Sequence, residues 1–273
     1  MLRYIDPYRF RTGGKRRRDI VCAVDSPRTA NERAEALTQH QPRGVHGQTV
    51  ETLAGRILSS EYSEGSVLNL PALLEELDVS LTALREALKV LTAKGMIDAR
   101  QKRGTYVQPR ASWNMLDADV MRWQTAGSAD SKLFDQLTEV RAVVEPAAAR
   151  LAAERATEDE VVALTAALQR MADAGPDLNE MVAADLDFHR LLLTMTCNDF
   201  LLQIDRVIAI GLAERDRIVH AATPDDDPVP SHRAVLDAIT AKNPDAAEAA
   251  MRALVNKSSE DLARINKQHS RAS

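Results

Sequence analysis

A chain of 273 residues has length for one large domain or two ordinary ones. Hydrophobic residues at 45% supply ample core, while aromatics at 4% beside abundant Ala and Leu favour packed helices over a sheet-rich fold. A net charge of −5 excludes a polycation, so any nucleic-acid contact must come from a local basic patch. The two cysteines, Cys22 and Cys197, suggest no disulfide framework and fit a reducing cytoplasm. No apolar run approaches the ~18 residues of a membrane span, and the N-terminal stretch lacks the apolar core of a secretory signal.

Residues 1 to about 45 read as a tail, with ten Lys or Arg against five acids and no sustained apolar period. Its densest charge is Lys15-Arg16-Arg17-Arg18. Such a segment is either a disordered extension or an arm that touches phosphates. Periodicity begins near Thr49: TVETLAGRILSS places Val50, Leu53, Ile57 and Leu58 on one face of a helix. NLPALLEEL reads as a second helix, capped by Asn69 with Pro71 in its first turn. SLTALREALKVLTAKG reads as a third, with Ser80 as N-cap and Gly95 as stop. MIDAR and TYVQP flank the basic turn QKRG and read as two strands. Three helices and a hairpin over 46–110 make a winged helix-turn-helix.

A connector follows at 111–128. Beyond it, from 129 to 267, every segment has helical period. Helices are expected near 114–126, 130–156, 157–174, 178–196, 198–221, 229–241 and 244–265, with stops at Gly175-Pro176, Asn198, TPDDDPVPS and Asn243-Pro244. The fold expected is mainly α, with a small β-hairpin wing and a C-terminal bundle of about seven helices. Trp113 and Trp123, flanking the connector, are expected to pack in the core.

A helix-turn-helix lays its second helix in the major groove, N-terminal residues toward base edges. That end here carries Ser80, Thr82 and Arg85. Arg85 is the candidate base reader, because a guanidinium binds guanine bidentately, and Thr82 reaches a phosphate or a thymine methyl. The turn Lys102-Arg103-Gly104 would follow the backbone or minor groove. A winged helix used only as a protein adaptor is the alternative. Against it stands the sign of the charge: Arg85, Lys89, Lys94, Arg100, Lys102, Arg103 and Arg110 face only Glu86 and Asp98 over the same span.

In the second half, ADLDFH sets Asp185 and His189 one turn apart on one face of an apolar helix. Burying both is costly unless they pair with each other or hold a metal or ligand. Arg141, in EVRAVVEPAA, is placed to form an i,i+4 pair with Glu145, worth a few tenths of a kcal/mol if exposed.

The run GSVLNLPALLEELDVSLTALREALKVLTAKGMIDARQKRGTYV resembles the winged helix of GntR transcription regulators. EVRAVVEPAAARLAAERA, ADLDFHRLLLTMTCN and SHRAVLDAI, in that order, resemble the FCD ligand domain of their FadR subgroup, so the likeness spans about 48–265. Members commonly carry arginines where this chain has Pro71 and Leu81, while Arg85 and Gly104 match. The resemblance implies a divalent metal, Zn or Ni, on Asp185, His189 and His232. A further histidine usually follows where Leu254 stands here, which leaves the set one ligand short. It also implies that Arg141 fixes the effector's carboxylate, which makes Arg141, Asp185, His189 and His232 the ligand-binding set. SWNMLDADVMRW and the lost histidine are similar to the galactonate-responsive subgroup, which implies an aldonate such as galactonate as effector, with DDDPVPS at the pocket mouth.

The reading that unites both halves is a cytoplasmic, homodimeric DNA-binding repressor, released from double-stranded operator DNA by a small acid. Alternatives are a regulator answering another small carboxylate through a metal, and a hydrolase using zinc on the same three residues. No nucleophile motif accompanies them, and an enzyme has no use for a winged helix.

Overall fold

The computed structural model describes residues 44–126, 131–222 and 227–272. The basic cluster Lys15–Arg18 and Cys22 lie outside the described residues.

The first helix, α1 (Gly44–Leu58), buries Val50, Leu53, Ala54 and Ile57 on one face, and starts five residues before the expected Thr49. In α2 (Leu70–Leu77), Asn69 caps by accepting from the Ala72 amide, and Asp78 ends the helix at φ 49°. Ser80 caps α3 (Leu81–Ala93), whose inner face is Leu84, Ala87, Leu88 and Leu91. Gly95 stops it at φ +73°, where a Cβ would lie 2.2 Å from the Ser112 carbonyl oxygen, so the turn admits only glycine. Strands β1 (Ile97–Arg100) and β2 (Gly104–Val107) pair antiparallel, Ile97 opposite Val107 and Arg100 opposite Gly104. Their inner residues close one core with α1, α2 and α3.

A 3-10 turn at Arg110–Ser112 leads to α4 (Ala118–Ala126). This helix is shorter than the expected 114–126 because Asp117 starts it, its carboxylate accepting from the Asp119 and Val120 amides. Val120 and Trp123 pack into the winged-helix core, and Met121 packs into the core on the other side, against α8. Trp113 and Trp123 both pack apolar, each indole N–H donating to a protein oxygen.

The remaining helices are α5 (Ser131–Arg155), α6 (Glu158–Asp173), α7 (Leu178–Met195), α8 (Asp199–Ala222), α9 (Val229–Thr240) and α10 (Pro244–Ala272). Thr157 and Glu160 form a capping box at α6, and Asn198 caps α8 as its sequence predicts. The last helix runs seven residues past the expected 265. An alanine face of α5 (Ala148, Ala149, Ala152, Ala153) lets α10 approach closely, and these residues join α6, α7 and α9 in a second core. The chain is therefore mainly helical, a winged helix-turn-helix followed by a helical bundle. No described helix is long and apolar enough to cross a membrane.

Candidate functional site

The DNA-facing end is built by the caps. Ser80 Oγ accepts from the Ala83 amide at 3.2 Å, which sets the angle at which α3 starts. Leu81, Thr82 and Arg85 then stand exposed on its outer face. The wing turn needs left-handed backbone at Lys102 (φ 75°) and Gly104 (φ 81°), and both are exposed. Arg103 stacks its guanidinium over the Tyr106 ring at 3.8 Å, so its charge is held at the wing base. Arg100 stays exposed, its Nε donating to Asp98 Oδ2 at 3.1 Å. One of the counted cations does not serve this face. Lys94 is buried and bonds Asp117 and Asp119 at 2.7 and 2.8 Å, which corrects its place in the basic patch: it braces the connector.

In the bundle, α7 brings Asp185 and His189 to one buried face, and α9 brings His232 against them. One ligating atom from each residue lies within 4.8 Å of the others. His232 Nδ1 sits 2.9 Å from the Pro228 carbonyl and donates there, which turns its Nε2 toward α7. That Nε2 stands 3.0 Å from Asp185 Oδ1 and 3.4 Å from His189 Nε2. The three side chains thus bring two imidazole nitrogens and a carboxylate oxygen toward one point. Two imidazole nitrogens and a carboxylate are a donor set that zinc or nickel takes, and Leu254, which stands where the resemblance expects a further histidine, is buried and offers no ligand atom.

Arg141 and Glu145, on α5, complete the cluster. Arg141 is 3% exposed, and its Nε and Nη2 donate to the two Glu145 oxygens at 2.7 and 3.2 Å. The i,i+4 pair is formed, but buried, so the surface value does not apply. Glu145 Oε2 also lies 3.1 Å from His189 Nδ1, off the line of a full hydrogen bond, so that contact is electrostatic. Burial opposes the Glu145 charge, yet Arg141 and His189 outweigh it and hold the carboxyl at about 2. Burial likewise opposes a charge on His189, and Glu145 and Asp185 outweigh it, so its pKa is raised. Arg141 Nη2 is 3.1 Å from His189 Nε2, so guanidinium and metal would compete for one lone pair. Glu145 as partner to the histidine was not read from the sequence. Its signal was there: an acid one turn after a buried arginine.

Part of this cluster borders a small cavity that opens to solvent. Only Val219, Pro228 and Leu254 among its thirteen lining residues are apolar. Arg141, Asp185 and His232 line it, as do Pro228 and Ser231 from the stretch expected at the pocket mouth. Arg215 and Asp216 of α8 and Ser258 of α10 also line it, and sequence reasoning missed all three.

A winged helix joined to a helical bundle with a solvent-open cavity is the build of a transcription regulator. Residues 46–107 match the bacterial regulatory proteins of the gntR family, and residues 136–257 match the FCD domain. The chain belongs to the GntR family of DNA-binding regulators, in its FCD-bearing branch. It is similar to the galactonate operon transcriptional repressor of Escherichia coli (strain K12), 35% identical over 221 residues, covering 79% of this chain and 96% of that one. The transcriptional repressor NanR of Enterobacter sp. (strain 638) is 29% identical over 220 residues, covering 76% and 80%. The solved structure of Lar, described as controlling the Listeria monocytogenes agr system, is 18% identical with TM-score 0.57 over 82% of this chain and 99% of that one, and so shares the fold.

Proposed function

We propose that this regulator is a homodimeric, cytoplasmic repressor of a sugar-acid catabolic operon, and that the acid, an aldonate such as galactonate, releases it from its operator. The observation that carries the reading is the cavity. It is polar on ten of thirteen lining residues, and Arg141, Asp185 and His232 stand in its wall. A fatty or aromatic effector would lay apolar surface against these charged groups and cut them off from water, whereas a small hydroxylated acid can hydrogen-bond to them. The similarity to a galactonate operon repressor supports the same class.

Asp185, His189 and His232 would hold the metal, Zn or Ni. Bound there, it would present positive charge to the effector's carboxylate, beside Arg141. Glu145 orients His189, and the Pro228 carbonyl orients His232. Ser80, Thr82 and Arg85 would meet operator DNA in the major groove, and Lys102, Arg103 and Gly104 would follow the backbone beside it. A thermal-shift panel of sugar acids, run with metal and with chelator, tests the effector. A gel shift on the gene's own upstream region, with and without the stabilising acid, tests release. Stabilisation by no sugar acid under either condition would remove that effector class. A complex that survives the acid would remove the release mechanism.

A further inference from the structure

The effector reading uses α5, α7 and α9, and leaves idle the two ionic residues that α8 places in the same cavity wall. Arg215 and Asp216 are 1% and 4% exposed. Asp216 Oδ1 accepts from Arg215 Nη1 at 2.6 Å, and Arg215 Nη2 donates to the carbonyl and hydroxyl oxygens of Ser258 on α10. Two shielded atoms of this group have no partner: Arg215 Nε and Asp216 Oδ2. Folding leaves such atoms unpaired at a cost, and a group entering the adjoining cavity could relieve it.

The two atoms are of opposite kind. Arg215 Nε–H only donates, and Asp216 Oδ2, as carboxylate, only accepts. A second carboxylate would suit the first and be repelled by the other; an ammonium would do the reverse. An alkyl chain suits neither. A hydroxyl suits both, because its oxygen accepts while its O–H donates. Neighbouring hydroxyls on one carbon chain could serve the two atoms separately.

We propose that Asp216 and Arg215, braced by Ser258, form a hydroxyl-reading subsite that selects a polyhydroxylated acid over its deoxy counterpart. This rests on the effector reading above and names the part of the ligand that reading leaves open.

The test is calorimetric titration of the full chain with two six-carbon acids, galactonate and hexanoate, on wild type, Asp216→Asn and Ser258→Ala. Wild type is expected to prefer galactonate by about 100-fold or more, since a site built for hydroxyls strands its own polar groups against an alkyl chain. In Asp216→Asn the preference is expected to fall about tenfold, the loss of one hydrogen bond to a charged group, with hexanoate affinity nearly unmoved. The preference is a ratio within one preparation, so an inactive fraction does not distort it. If circular dichroism finds Asp216→Asn unfolded, Ser258→Ala carries the comparison, with a fall of about threefold expected. An unchanged ratio in a folded variant overturns the subsite and leaves the sugar-acid reading standing. Wild type that binds galactonate no better than hexanoate, or binds neither, overturns both.

Discussion

The Trp123 indole donates to Glu51 Oε2 at 2.6 Å, and Arg122 beside it donates to both oxygens of the same carboxylate at 2.6 and 3.1 Å. One side chain on α1 thus holds α4, the helix whose other side packs on α8. Glu51→Gln keeps the shape and removes the charge. It should cost about 1.5–3 kcal/mol of winged-helix stability, since the pair is largely shielded. Trp123 emission should shift red on denaturant at a lower midpoint than in wild type. Effector affinity should stay as it was, while the acid releases DNA less completely. Equal midpoints and equal release would show that the tie carries no strain between the halves.

Arg141 is too well buried for the alanine variant to be read simply. Arg141→Ala would leave Glu145 buried without its partner, a loss of about 3–5 kcal/mol. Arg141→Lys is the cleaner probe. It keeps the charge beside Glu145 and loses the planar fork. The expected protein is folded, binds operator, and binds galactonate at least about tenfold more weakly by calorimetry. Wild-type affinity in that variant would take Arg141 out of the effector site.

Leu254 sits in the cavity wall and is 5% exposed, where an imidazole of similar bulk would fit. Leu254→His should raise the Zn or Ni retained after purification, read by elemental analysis of both proteins side by side, because a fourth protein ligand closes the coordination shell. Chelator should lower the unfolding temperature of the variant by several degrees more than that of wild type. Metal absent from both preparations would make the three residues a metal-free part of the pocket.

For DNA, the exposed set is small. Arg85→Ala should lower specific affinity by ~1–3 kcal/mol and relax one base position. Leu81→Arg should tighten binding to all sequences and steepen the salt dependence, as it adds one cation at the mouth of α3. The proposed homodimer would place one winged helix on each half-site of a short palindrome. Footprinting on the upstream region at ~0.15 M salt checks all three, because loose contacts are screened there. No protected palindrome would deny this winged helix an operator there.

The helices were legible because their signals are local. Asn69, Ser80 and Asn198 cap where their side chains announce it, and the apolar period of α7 forecasts which face Asp185 and His189 share. What stayed hidden depends on distant pairs. Glu51 and Trp123 are 72 residues apart, and no period links them. Lys94 looked like one more cation beside Arg85 until Asp117 and Asp119 folded back over it. Arg215 and Asp216 resembled ordinary surface charge on a long helix. Packing of α8 against α5, α7 and α10 makes them interior, and their unfilled atoms are then meaningful.

Gly211 lies on α8 five residues before Asp216, about 7.5 Å along the axis. A Cβ there would come within 2.4 Å of Leu137 Cδ1 and 3.4 Å of the Met121 sulfur. The floor under the connector and the wall of the cavity are therefore one helix. A methyl at Gly211 would press first on Leu137 Cδ1, the flexible tip of an α5 side chain, and only in ordinary contact on the Met121 sulfur of the connector.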